Sequence, residues 1–270
     1  MKKHILTAFV ILFFLCGFGL MLYPTISNYF HAISQSKVVA SYNMAVEQMN
    51  PEDVAKMLNE AKAYNKELYR DAARFDRADN IDEEYTDLLN ISGNSVIGVL
   101  KIGLINVDLP IYHGSSESVL QVGLGHLVGS SLPIGGEATH AVITGHRGLP
   151  SAVLLSDLDR MREGDVFEIY VLNEILTYQV DQITVIEPKD FTELRIDPNK
   201  DYVTLLTCTP YGINSHRLLV RGVRVNPDEI VYNINADAKK IGTNQIMMIM
   251  LIPATIMALC VMFIKRKEKK

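Results

Sequence analysis

Cysteine is scarce in this chain, with three residues among 270. Cys16 and Cys260 lie inside long apolar runs, which leaves Cys208 as the single thiol of the remaining sequence. A lone thiol excludes an intrachain disulfide framework there, and no cysteine cluster exists to hold a metal. Other residue types do not fill the gap. His140 and His146 have no Cys or acidic neighbour in a zinc-like pattern, and the acidic stretch 76–87 lacks the spacing of an EF-hand, so no metal and no cofactor is expected. Internal repeats and low-complexity blocks are also missing. Basic residues are outnumbered by acidic ones between the two ends. The chain carries a net charge of −5, of which the ends (Lys2, Lys3 and the run 265–270) contribute +6, so the part between them carries −11. A surface of that sign repels phosphates and excludes nucleic acid as a partner.

Charge disappears altogether from residues 5–23 and 246–264. Each run is long enough to cross a hydrocarbon core as a helix, and Pro253 is tolerated in such a helix. Basic residues flank both runs on their outer ends, which places both termini in the cytoplasm and the middle of the chain outside the cell membrane. A cleaved signal peptide is the alternative for the first run, although no clear small-x-small cleavage site stands out in the segment from Gly17 to Pro24. A buried core helix is the alternative for the second. The expected organisation is an N-terminal transmembrane anchor (1–23), a helical extension (24–94), one outer domain (95–230), a juxtamembrane linker (231–245), a C-terminal transmembrane helix (246–264) and a basic cytoplasmic tail (265–270).

Within the extension, Asn50-Pro51-Glu52-Asp53 reads as a helix start, with Asn as N-cap and Pro at the first position. Val54, Met57, Leu58, Ala61, Tyr64 and Leu68 follow helical spacing, so an amphipathic helix is expected through about Ala73. Its apolar stripe covers either the domain that follows or a partner protein. Residues 74–93 read as an exposed acidic loop or short helices. From residue 95 the pattern becomes that of short strands, at 96–102, 107–112, 140–144, 166–171, 175–186, 202–208 and 217–225, with one short helix at 154–161. Many strands with little helix between them predict a mainly β fold, a closed or nearly closed barrel.

Three residues stand at strand ends with complementary chemistry. Cys208 closes the run Thr204-Leu205-Leu206-Thr207-Cys208, His146 follows Ile143-Thr144-Gly145, and Arg217 opens the strand after Cys208. A thiolate is a nucleophile, an imidazolium delivers a proton to a leaving amine, and a guanidinium donates hydrogen bonds to an oxyanion. Together they suit acyl transfer from a peptide bond. A buried thiol acting as a small hydrophobe and an ordinary polar histidine remain the plain alternatives, because spacing alone does not bring His146 to Cys208. His216 adjoins Arg217 and points to the opposite face of a strand. His113 and His126 stand in loop-like contexts that suggest exposure.

At these residues the sequence resembles the sortase family. The resemblance rests on Thr204-Leu205-Leu206-Thr207-Cys208, on His216-Arg217-Leu218-Leu219-Val220-Arg221-Gly222, on Thr144-Gly145-His146-Arg147-Gly148, and on Gly125-His126-Leu127 with Ser131-Leu132-Pro133 and Gly135-Gly136. It covers about 95–225. Cys208-Thr209-Pro210-Tyr211-Gly212, with Asn214-Ser215-His216-Arg217 and a second apolar run after the barrel, is similar to class C, the pilus-building sortases. The resemblance implies an eight-stranded β-barrel with an N-terminal helical extension and a transmembrane helix at each end. It implies that Cys208 attacks the threonine carbonyl of an LPxTG-like sorting signal, that His146 is the acid/base, and that Arg217 positions substrate and stabilises the oxyanion. Thr207 and Thr209 are candidate substrate-binding residues. The partners implied are pilin subunits that bring a sorting signal and an acceptor lysine. The Asp-Pro-aromatic lid anchor usual in class C is missing between residues 60 and 95, which predicts a lidless enzyme, or an altered lid formed by 74–76 or 82–85. A wall-anchoring sortase with a peptidoglycan-precursor acceptor, or a non-catalytic membrane-anchored pilus scaffold, are the competing expectations.

Overall fold

Alternating apolar residues from Val96 onward form a closed barrel of eight strands in the computed structural model, which describes residues 2–71, 73–77 and 83–229. The expected linker, second transmembrane helix and basic tail fall on residues 231–270, outside the described residues. The strands are β1 (Val96–Ile102), β2 (Val107–Tyr112), β3 (Leu124–His126), β4 (Thr139–Thr144), β5 (Val166–Val171), β6 (Glu174–Ile186), β7 (Asp201–Thr209) and β8 (His216–Arg224). Their order around the barrel is β1-β2-β3-β4-β7-β8-β6-β5. All neighbours are antiparallel except β2–β3 and β4–β7. The thirteen-residue β6 pairs with both β5 and β8, with an irregularity between Val180 and Gln182. Closure comes from β1 against β5, from Val99↔Tyr170 to Lys101↔Glu168.

The chain divides into two units, one containing residues 1–28 and the other beginning at Tyr29. In the first, the helix α1 (Lys2–Glu47) is long and apolar enough to cross a membrane by length and composition, with a mean hydropathy of 2.2 over its most apolar window and none of that window buried. In the second, the C-terminal part of α1 packs Val39, Tyr42 and Val46 on Val96 and Val99 of β1. The Tyr42 hydroxyl accepts from Leu172 N at 2.9 Å and donates to Ile97 O at 3.3 Å, so this buried polar group is satisfied on both sides.

Helix α2 (Pro51–Leu68) starts where the sequence places it, with Asn50 Oδ1 accepting from Asp53 N at 2.8 Å. Its stripe covers the barrel: Val54 and Ala61 join the central core, and Met57, Leu58 and Tyr64 pack against it. Buried Asn65 imitates a peptide group, donating to Leu132 O and accepting from Leu132 N at 3.1 and 2.7 Å. The helix ends five residues earlier than the expected Ala73. Its apolar stripe stops at Leu68, the last bonds tighten to Arg70 N→Glu67 O and Asp71 N→Leu68 O, and Asp71 Oδ1 captures Ala73 N.

The acidic stretch is not simply exposed. A short helix, α3 (Glu83–Asp87), drives Tyr85 into the protein. The Tyr85 hydroxyl meets His126 Nδ1 at 2.7 Å and accepts from Gly114 N at 3.0 Å. His126 and His113 are therefore buried, against the expectation of exposure. Ser131 O accepts from His126 Nε2, which leaves Nδ1 to accept from Tyr85. Burial holds the His126 imidazole down at about 4 and lowers that of His113. The helix expected at 154–161 is absent. Leu154 takes a left-handed φ of 42°, and one 3-10 turn, Leu158–Arg160, remains. Leu154, Leu155, Leu158 and Met161 are buried all the same, as an irregular segment packed into the main core.

Candidate active site

Strand alternation sorts β4, β7 and β8 into two faces. Ala141, Ile143, Val203, Leu205, Leu218 and Val220 belong to the central core. Val142, Leu206 and Leu219, one residue out of step, join a separate cluster with Ile186 and Leu194 on the outer face. Cys208 continues the outer set on β7, and Arg217 does so on β8. The two are direct partners, Cys208↔Arg217, so their side chains leave the same face.

His146 reaches that face from β4. The parallel register ends at Thr144↔Leu206, and Gly145 N donates to Leu206 O at 3.1 Å. The buried Thr207 hydroxyl donates to Gly145 O at 2.7 Å. The paired register stops at Thr144↔Leu206, two residues before His146 on one strand and two before Cys208 on the other. Gly145 is closely packed, since a Cβ there would stand 2.6 Å from Leu124 Cδ2 and 2.9 Å from Leu155 Cδ1, so a larger residue would make those leucines shift. The structure therefore pairs Cys208 directly with Arg217, and ends the neighbouring strand β4 two residues before His146.

Each candidate has a distinct setting. Cys208 is half-buried. His146 is half-buried, and its Nε2 lies 3.3 Å from Glu117 Oε1 on the short helix α4 (Glu117–Leu120). A carboxylate accepts, so that contact places the proton on Nε2. Gln121 donates to the same carboxylate and, with His146, holds the exposed Glu117 below its usual range. Arg217 Nη1 donates to Asn214 O and His216 O at 3.3 and 3.1 Å, which fixes the guanidinium to the β7–β8 loop. Thr207 is buried with its hydroxyl committed to Gly145, so it holds two strands together. Thr209 is half-buried and accepts from Arg147 Nη1 at 3.3 Å.

Sequence reasoning missed Glu117 and Arg147. Glu117 stands 29 residues from His146, and nothing in its neighbourhood marks it. Arg147 was visible beside His146, but its partners Asp159 and Thr209 come from other segments. The segment proposed as an altered lid does touch the barrel. Phe75 stacks on Phe191 with ring centroids 4.7 Å apart, and Arg74 Nη2 donates to Leu194 O at 3.0 Å. Among the described residues these contacts reach the β6–β7 segment, and no hydrogen bond or ring contact runs from 74–77 to Cys208, His146 or Arg217.

The arrangement offers a nucleophile, a proton carrier and a fixed cation on one open face, and no cluster of metal-binding side chains occurs among the described residues. Comparison with known proteins points the same way. Residues 100–225 match the sortase domain family. Sortase C1 from Streptococcus agalactiae superposes with a TM-score of 0.66 at 46% identity, covering 70% of this chain and 98% of that one. Sortase C from Streptococcus pneumoniae, whose structure concerns catalysis and pilin substrate specificity, gives 0.65 at 46% identity, over 70% of this chain and 97% of that one. Sortase C from Clostridium perfringens, with the C-terminal cell wall sorting motif, gives 0.63 at 40% identity, over 71% and 99%.

Proposed function

The chain belongs to the sortase family of cysteine transpeptidases, and from that premise we propose that it polymerises pilins at a cell membrane. In this reading Cys208 Sγ attacks the threonine carbonyl of an LPxTG-like sorting signal. The tetrahedral oxyanion receives hydrogen bonds from Arg217, and His146 protonates the departing glycine amine. A thioester to Cys208 remains. A lysine amine of the next pilin attacks that thioester, loses its proton to His146, and leaves as an isopeptide while the thiol is restored. The observation that carries the reading is the direct Cys208↔Arg217 pair on β7 and β8, with β4, the strand that leads into His146, paired along β7. The likeness to class C sortases at 46% identity over nearly their whole length supports the pilin as substrate.

Membrane attachment through α1 is part of the proposal. The second span and the outward topology rest on sequence alone. The test is to mix the detergent-solubilised full chain with a pilin bearing a sorting signal and an acceptor lysine. Covalent pilin ladders that resist boiling in detergent, and that vanish with Cys208→Ala, support the proposal. Transfer to a peptidoglycan-precursor amine without ladders would replace it with wall anchoring. Ladders that persist in Cys208→Ala would remove Cys208 as the nucleophile, and the absence of any covalent product with the unaltered chain would leave only a scaffold.

A further inference from the structure

Arg147 is a cation placed almost out of water. Its side chain is 8% exposed, and its one carboxylate partner among the described residues, Asp159, is half-exposed. Nη2 donates to Asp159, and Nη1 donates to the Thr209 hydroxyl at 3.3 Å. The guanidinium carbon lies 5.9 Å from the centre of the Tyr211 ring. Nε is buried with no protein partner. Burying a guanidinium on these terms is a poor source of stability, since an apolar side chain of the same volume carries no desolvation cost. What an arginine adds is a rigid fork that reaches two directions at once.

Those two directions matter for the chemistry. Arg147 immediately follows His146, and Thr209 immediately follows Cys208. Asp159 belongs to the 3-10 turn that closes the segment after His146. Tyr211 also packs on Gly148, where its ring atoms stand 3.1–3.5 Å from the position a Cβ would take, and Gly148 has a φ of +80°. One cation therefore joins the loop that carries the histidine to the chain leaving the cysteine.

We propose that Arg147 is a positioning residue that sets the distance between His146 and Cys208 by tying the loop after β4 to the loop after β7. It touches neither reacting atom and acts through the two loops. The inference rests on the transpeptidase reading for its importance in turnover, but not for its geometry. Misplacing a catalytic group by an ångström costs on the order of 10²-fold in rate, so a loosened tether should appear in kcat before KM.

The test uses the full chain in detergent and four variants: Arg147→Lys, Thr209→Val, the double variant, and His146→Ala as reference. Alkylation of Cys208 by iodoacetamide is followed across pH by mass spectrometry of its peptide. This readout needs no substrate and so separates failure of the inference from failure of the pilin reading. Glu117 on α4, Asp159 and Arg217 on β8 also surround the pair and are unchanged throughout. The expected result is that Arg147→Lys moves the pH–rate profile toward that of His146→Ala. Thr209→Val should move it less, and the double variant no further than Arg147→Lys, as expected for two groups in one contact. With a sorting-signal peptide, Arg147→Lys should lower kcat by about tenfold or more and leave KM within about twofold. A wild-type profile in Arg147→Lys would overturn the proposal. So would a rate change of equal factor at every pH, which reports access alone, or an activity loss that merely follows a lower Tm.

Discussion

His140 and His146 lie on the same strand line and the same outer face, six residues or about 20 Å apart, yet they live in different solvents. The β6–β7 segment covers His140. Its Nδ1 donates to Arg195 O at 2.9 Å, and its Nε2 accepts from the Thr204 hydroxyl at 2.7 Å. Burial holds it neutral, with its pKa lowered to about 4. His146 lies beyond that cover, half-open, with its Nε2 against the exposed Glu117. Coverage by one connecting segment thus separates a fully buried, doubly hydrogen-bonded imidazole from one half-open to solvent. Cys208 and Arg217 stand at the uncovered end, and Thr204 at the covered one.

Substitutions at the two ends should break in opposite ways. The largest effect is expected at the open end. Cys208→Ala or His146→Ala should lower transpeptidation by at least about 10³-fold while leaving Tm nearly unchanged, measured by ladder formation beside thermal melts. Acid comes next and acts on the covered groups. His126 and His140 are depressed to about 4 in the folded protein against about 6.5 in an unfolded chain, so the unfolded state binds more protons between those values. Their contribution to stability is complete above about pH 6.5 and is lost as pH falls toward 4, up to about 3 kcal/mol each, readable from urea midpoints at a series of pH values. His140→Ala should cost about 2 kcal/mol, because it strands the Thr204 hydroxyl and the Arg195 carbonyl, with turnover per folded molecule retained. The smallest effect concerns the extension. Phe75→Ala should change the alkylation rate of Cys208 by less than about twofold, because its ring meets Phe191 and not the thiol.

The same contrast explains what was legible in the sequence. Seven strands could be read from alternating or continuous apolar runs because each is at least six residues long. β3 escaped because Leu124–His126 is too short to show a period and pairs in parallel with β2 and antiparallel with β4. Its histidine was misjudged for the same reason, since burial of His126 depends on Tyr85, 41 residues away. The Asn50 cap was readable because every part of it is local, whereas the end of α2 was misplaced because it depends on where the covered surface stops. At the site, the residue types of Cys208, His146 and Arg217 were visible. Their union was not, since it depends on the parallel β4–β7 register that adjacency in sequence does not encode. Arg147 and Glu117 needed the folded loops to acquire a meaning.

The central claim is that Cys208 carries the acyl group through the reaction. Rapid acid quenching of the full chain with a sorting-signal pilin, followed by mass spectrometry, measures this directly. The prediction is a hydroxylamine-labile adduct on the Cys208 peptide, holding the pilin up to its threonine and disappearing when an acceptor lysine is supplied. Polymer that forms with no adduct on Cys208, or an adduct that an acceptor does not discharge, would contradict it.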